Sequence, residues 1–187
     1  MGNRLSRVVT RTGDMGSTGM ADGSRRSKND PRVHCLGEVD ELNAHLGVSL
    51  SLLDEGRIQQ TLFAVQHDLF DIGAELCQPG KHLIGENYVE ALDARIEEFN
   101  QDLPALKEFI LPGGTPAVAS LQLARTVCRR VERGLVALTD DEKSNPETRR
   151  YINRLSDLLF VLARAQGHED GSGEVYWNSR YSRTQRD

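Results

Sequence analysis

No run of about 18 apolar residues, the length a membrane-spanning helix needs, occurs in this 187-residue chain, so no membrane span is expected. Cysteine is scarce. Cys35, Cys77 and Cys128 are the only three, far apart and without a CxxC pair. Such spacing excludes a disulfide framework and a thiolate zinc site and fits reduced thiols. Aromatic residues are 5% of the chain, with one tryptophan, so aliphatic side chains must build the core. The start, MGNRLSRVV, lacks the apolar h-region of a secretory signal and fits a myristoylation pattern only loosely; a cytoplasmic protein is expected. Strand-like alternation is missing, apart from short extended pieces around Val8-Val9 and Val175–Trp177. The acidic balance, a formal net charge of −5, argues against general nucleic-acid binding.

What is present is helical periodicity. Val39, Leu42, Leu46, Leu50 and Leu53 recur at three- and four-residue steps. Ile58, Leu62, Val65, Leu69, Ile72 and Leu76 form a second stripe, closed by Pro79-Gly80. Val89, Leu92, Ile96, Phe99 and Leu103 form a third, ending before Pro104. A non-helical break, FILPGGTP, follows. Thr115-Pro116 then reads as an N-cap with proline at the first helical position, opening a stripe through Val118, Leu121, Ala124, Val131, Leu135 and Leu138. Asn145-Pro146 repeats that signature before Tyr151, Leu155, Leu158, Leu159 and Leu162. Five such helices with short connections predict an all-α protein, a five-helix antiparallel bundle. The expected organisation is one domain over 1–187, with an N-terminal arm (1–32), the bundle (33–166) and a C-terminal tail (167–187). The tail, GHEDGSGEVYWNSRYSRTQRD, is expected to be mobile until its aromatics find a partner.

The arm has a different chemistry. Between Thr10 and Lys28 it carries Gly13, Gly16, Gly19 and Gly23, several hydroxyls and four cationic side chains, and no apolar residue larger than methionine. It cannot build a core, but glycine lets backbone N–H groups approach and cradle an anion. Residues 1–34 hold seven Lys/Arg against three Asp/Glu, a local charge of +4, so the other 153 residues carry −9. A basic, glycine-rich arm on an acidic body suggests a polyphosphate ligand, and the competing reading is a disordered N-terminus. The segment is not a Walker A loop, because no lysine follows Gly16 or Gly19, and no βαβ unit surrounds it. Thr10, Thr12, Asp14, Ser17 and Thr18 suit magnesium and phosphate contacts.

The fourth helix crowds Arg125, Arg129, Arg130 and Arg133 around Glu132, with positions 125, 129 and 132 on one face. Such a run is usually a solvated face. Here the flanks are apolar, and like charges so close repel unless an anion or carboxylates neutralise them. Asp40 and Glu41 on the first helix, and Asn153, Arg154 and Asp157 on the fifth, are candidate neighbours. A metal held by protein side chains alone is not expected. Glu38, Glu41 and His45 share a face, but no Glu-x-x-His tetrapeptide of a di-iron bundle occurs.

Five segments stand in a fixed order: TRTGDMGSTGMADGSRRSKNDPRV, GEVDELNAHLG, FILPGG, ARTVCRRVERG and YINRLSDLLFVLAR. Over residues 8–166 the chain closely resembles the PduO-type ATP:cob(I)alamin adenosyltransferases, or corrinoid adenosyltransferases, and its EVYW resembles that family's usual ending. Met15 departs from the lysine common in the family's GDKG segment, and Cys35-Leu36 replaces a more usual Ala-Tyr. The resemblance implies a ferritin-like, cobalamin adenosyltransferase-like bundle assembled as a homotrimer, with each active site between neighbouring subunits. It implies transfer of the 5′-deoxyadenosyl group from ATP to cob(I)alamin with release of triphosphate. Mg2+ would travel with the ATP phosphates, a flavoprotein or other reductant would supply electrons, and neither nucleic acid nor membrane would be a partner. Carried over residue by residue, Thr10, Arg11, Thr12, Gly13, Thr18, Gly19 and Lys28 would contact ATP from one subunit. Arg129, Arg130, Val131, Glu132, Arg133 and Asn153 would contact it from the fourth and fifth helices. Asp40 and Arg125 match an intersubunit salt bridge, and Phe109 matches the ring over the lower face of the corrin; with Arg129 these three make up the candidate catalytic set. The rival readings are a silent ATP-binding or corrinoid-chaperone protein on the same bundle, and an anion- or RNA-binding helical module.

Overall fold

The computed structural model describes residues 9–138 and 144–179; Val8 and the end of the tail lie outside them. Five helices carry the fold: α1 (Pro31–Ser51), α2 (Arg57–Cys77), α3 (Glu86–Asn100), α4 (Pro116–Ala137) and α5 (Pro146–Glu169). α1, α4 and α5 begin alike. The side chains of Asp30, Thr115 and Asn145 accept the backbone N–H of Arg32, Val118 and Glu147, and a proline follows each cap. Proline fits there because the first helical N–H has no partner to lose. The caps at Thr115 and Asn145 are those expected from sequence. Asp30-Pro31 carries the same signal and starts α1 well ahead of Val39.

The helices alternate in direction. Asn43 and Gln66 exchange side-chain-to-backbone hydrogen bonds between α1 and α2, and the Cys128 thiol donates to the Ile152 carbonyl between α4 and α5. α1 lies against α4, with Gly134 beside Cys35 and Glu38. The exception to antiparallel neighbours is α3 with α5: Arg150 pairs with Glu86 and, further along both helices, Arg154 with Asp93. That parallel contact is forced, since α5 is the central helix and packs on α2, α3 and α4. Leu155, Leu158, Leu159, Leu162 and Ala163 are accordingly fully buried. Over residues 158–165 this helix is apolar at every position but Arg164, as a segment inside a bundle is.

Glu75 is an unexpected core member. It is 6% exposed on α2, and its carboxylate accepts the backbone N–H groups of Leu83 and Ile84, an Asn145 amide hydrogen and the Thr148 hydroxyl. One acidic side chain thereby ties the α2–α3 connection to the start of α5.

The arm is a hairpin in this structure. β1 (Ser17–Gly19) and β2 (Arg25–Ser27) pair antiparallel, with Thr18 opposite Arg26. Met20 at the turn is buried, and the Ala21 N–H donates to the Cys77 carbonyl at the end of α2. One buried methionine and one backbone bond thus dock a segment too polar to form a core itself.

Gly114, in the break before α4, sits at φ 119°, and a Cβ built there would lie 3.0 Å from a Val118 methyl. Left-handed backbone plus that crowding makes Gly114→Ala destabilising by roughly 1–3 kcal/mol. A lower urea midpoint with unchanged slope would register it; an unchanged midpoint would refute the strain.

Candidate functional site

The arm's loop is built by one cation and roofed by another. The Arg25 guanidinium donates to the Thr12 carbonyl (2.6 Å), the Ser17 carbonyl (3.2 Å) and the Ser17 hydroxyl (2.7 Å). These bonds fix a turn in which the Gly16 N–H meets the Gly13 carbonyl and the Lys28 N–H meets the Gly16 carbonyl. Lys28 Nζ passes 3.2 Å from where a Gly13 Cβ would stand, so the ammonium lies across the loop only because Gly13 has no side chain. The Thr10 and Thr12 hydroxyls are in contact at 2.9 Å, and Arg11 has φ 57°. Thr10 to Gly13 and Lys28 therefore form one exposed cationic loop, with Thr18 and Gly19 adjoining it on β1.

A second cluster lies on α4 and α5. The Asn153 amide donates to Glu132 at 2.8 Å, and the Arg133 guanidinium donates to the Arg129 carbonyl at 3.0 Å. Arg129 and Arg133 are exposed. Arg130, one position round the helix, turns instead to α1, where it pairs with Glu41 and lies 3.8 Å from Glu38. Its hydrogen bond to Glu41 holds its pKa above the ordinary arginine value. Val131 is fully buried in the core. Helix phase thus divides the arginine-rich run: Arg129, Glu132 and Arg133 face out beside Asn153, Arg130 serves the α1–α4 interface, and the Val131 side chain faces away.

The third cluster surrounds Phe109, which is 77% exposed. Its ring and Arg125 line one cavity of about 400 Å³, together with Ile110, Gln122 and Phe160. The Arg125 Nε donates to Gln122 at 2.8 Å, and its guanidinium stands 5.9 Å from the Phe160 ring centroid. Burial, and then the charge of Arg129, push the Arg125 pKa below its ordinary value. A cation so placed gains from an incoming negative charge. Asp40 is not in this cavity. It is exposed on α1 beside an apolar groove formed with α2 by Val33, Leu36, Leu69 and Phe70. Among the described residues no ion pair joins Asp40 to Arg125, and no hydrogen bond joins the arm to Arg129, Arg133 or Asn153. Nor does any group of three His, Cys, Asp or Glu among them form a metal cage.

Residues 8–166 match the family described as cobalamin adenosyltransferase. The chain belongs to that family. It is 50% identical over 178 residues to the cobalamin adenosyltransferase of Cupriavidus metallidurans, covering 95% of this chain and 97% of that protein. It is 42% identical over 197 residues to the corrinoid adenosyltransferase of Mycobacterium tuberculosis, covering 98% and 99% of the two. Its fold superposes with a TM-score of 0.86, at 35% identity and 92% coverage of this chain, on all of a phenylalanine-to-alanine variant PduO-type ATP:corrinoid adenosyltransferase from Lactobacillus reuteri complexed with cobalamin and ATP.

Several residues around the site of this adenosyltransferase escape sequence reasoning. Arg25 sets the arm loop, yet in sequence it is indistinguishable from Arg26, which instead pairs with Asp30 at 2.9 Å. The register of the hairpin, placing Arg25 opposite Gly19, is the signal that separates them. Trp177 meets the Phe109 ring edge-to-face at 6.5 Å. The tail is expected to be mobile until its aromatics find a partner, and among the described residues Trp177 has one in Phe109. The extended piece expected at Val175–Trp177 is present, bridging Tyr176 to Ile110.

Proposed function

We propose how this enzyme, which transfers the 5′-deoxyadenosyl group of ATP to cob(I)alamin and releases triphosphate, divides the work among its side chains. The observation that carries the reading is that each chain presents incomplete halves. Among the described residues the cationic loop of the arm meets no α4 arginine of its own chain, while Arg129, Arg133 and Asn153 lie exposed on α4 and α5, and Arg125, one turn before Arg129, lines the Phe109 cavity. Two neighbouring subunits complete a site if the arm of one closes over ATP against α4 and α5 of the next. The exposed apolar groove between α1 and α2, with Phe70 at its edge, supports a homotrimer in which Asp40 of one subunit meets Arg125 of another.

Cobalt(I) is the nucleophile. The cobalt–carbon bond forms as the C5′–O bond breaks; both electrons of the new bond come from cobalt, and triphosphate leaves with the electrons of the old one. No proton leaves the nucleophile, so no general base is needed, and the lack of a serine triad is consistent. Charge develops on triphosphate, where Lys28, Arg129 and Arg133 stabilise it in place. Thr10, Thr12 and Asp14 offer hard oxygen donors without a closed cage, which fits Mg2+ carried mainly by phosphates and water. Bound there, Mg2+ would neutralise phosphate charge. A flavoprotein or other reductant supplies the electron that makes cobalt(I), in a cytoplasmic setting.

Incubation of the protein with ATP, Mg2+ and chemically reduced cobalamin is expected to give adenosylcobalamin, read from its visible spectrum. No conversion by correctly folded protein would overturn the reading in favour of a silent binding protein. Met15 gives a graded test. It is 95% exposed on the arm loop, and Met15→Lys adds a cation beside the phosphates. An exposed charge pair contributes about 0.5–1 kcal/mol, so ATP should bind roughly threefold tighter by calorimetry. Unchanged affinity would place this position away from the phosphates.

A further inference from the structure

Arg164 is a cation near the end of the central helix, and its side chain is 5% exposed. A buried guanidinium is tolerated only when its donors are met. Two segments distant in sequence meet them. Arg164 Nε donates to Glu174 at 2.5 Å, and Nη2 donates to the Pro104 carbonyl at 2.6 Å. Glu174 belongs to the chain beyond α5; Pro104 opens the loop between α3 and α4. One side chain thus staples both segments to α5.

Past the staple the two segments run together. The Ser172 and Gly173 N–H groups donate to the Gly167 carbonyl at 3.1 and 3.4 Å and turn the chain back. The Leu111 N–H then donates to Val175 (2.8 Å) and the Trp177 N–H to Phe109 (2.6 Å). Phe109 stands at the edge of this short ladder, exposed, with Trp177 as its ring partner. The ring is largely exposed and its aromatic contact among the described residues is Trp177, so its height and tilt depend on the ladder, and the ladder depends on the staple.

We propose that Arg164 and Glu174 are positioning residues for adenosyl transfer. By clamping residues 174–177 onto the loop of residues 104–111, they hold the Phe109 ring, through Trp177, where it can displace the lower ligand of a bound corrinoid. This rests on the reading that Phe109 covers the lower corrin face. The clamp does not touch ATP, and it acts on cobalt only through the ring. Its loss must therefore weaken the step that needs a ligand-free lower face, reduction of cobalt(II), more than the attack of cobalt(I) already formed.

The test compares Glu174→Ala, Glu174→Gln, Trp177→Ala and Phe109→Ala in the full-length enzyme. Each is assayed with cob(II)alamin plus reductant and with pre-reduced cob(I)alamin. Electron paramagnetic resonance reads the four-coordinate cob(II)alamin fraction in the presence of ATP, and calorimetry reads ATP affinity. Glu174→Ala and Trp177→Ala are expected to lower the cob(II)alamin rate at least about tenfold, since small misplacements of a reacting group cost that much or more. They should reduce the four-coordinate signal while ATP affinity holds. Glu174→Gln keeps an acceptor for Arg164 and should recover much of both. If Phe109→Ala loses the signal while Glu174→Ala and Trp177→Ala keep it, the clamp is overturned and the role of Phe109 stands. If Phe109→Ala keeps the signal, both fall. A parallel loss of ATP affinity and of both rates in Glu174→Ala, not shared by Trp177→Ala, would mark a merely structural role and overturn the clamp. Should Glu174→Ala fail to fold, Trp177→Ala, which leaves both charges in place, decides the same question.

Discussion

Phe109→Ala is expected to lower adenosylcobalamin formation from cob(II)alamin by about a hundredfold, roughly 2.7 kcal/mol of barrier, while ATP binds as before. The side chain is exposed and lies in the loop outside the bundle core, so its removal leaves no core cavity, and folding should be nearly unaffected. What is lost is an apolar surface facing the cavity shared with Arg125. Cobalt(II) is hard to reduce while a lower axial ligand is bound, and axial ligation and local polarity are the levers by which a protein tunes a metal centre. On the proposed role of Phe109, alanine at this position would readmit the ligand or water. The check is a pair of steady-state assays, one from cob(II)alamin and one from pre-reduced cob(I)alamin, alongside ATP titration. Full activity from cob(II)alamin with a biological reductant would remove Phe109 from the mechanism.

The second large effect is on stability. Glu75→Ala leaves the buried N–H groups of Leu83 and Ile84 and the amide of Asn145 without their acceptor, and it opens a cavity beside α5. Each stranded buried donor costs about 1–3 kcal/mol, so the three together put the loss at several kcal/mol. A loss of that size, read as a lower urea midpoint, would be a large share of the roughly 5–15 kcal/mol that holds a domain together. Glu75→Gln should be milder, because the amide oxygen still accepts from Leu83 and Ile84 and the rotatable Thr148 hydroxyl can accept from the new amide. Equal effects of the two substitutions would show that packing, and not the acceptor, is what matters at this position.

Much of the architecture was legible because it is written in short-range pattern. Three- and four-residue spacing of leucine and valine gives the helices. A cap followed by proline gives the starts of α4 and α5. The order of the arm, DELN, FILPGG, CRRVER and NRLSD segments points to the family. Even the extended piece at Val175–Trp177 shows its alternation. Asp30-Pro31 carries the same cap signal as Thr115-Pro116 but stands next to the polar arm, so no apolar stripe marks the first turns of α1.

The roles of like residues were not legible. Arg129 and Arg130 are chemically identical neighbours, yet helix phase leaves one exposed and gives the other to Glu38 and Glu41 of α1. Glu75, Arg164 and Glu174 look like ordinary surface charges, and only packing brings Glu75 to Asn145, 70 residues away, and Arg164 to Glu174 and to the Pro104 carbonyl, 10 and 60 residues away. The sequence by itself determined the helices, the cationic, glycine-rich character of the arm and the family. Tertiary structure alone decided which charges are buried, which arginine of α4 is left exposed and that the tail is strapped to Phe109. The physical reason is range: periodicity and capping act within a turn or two of helix, whereas the choice of partner for a buried charge is settled between segments that meet only once the bundle has closed.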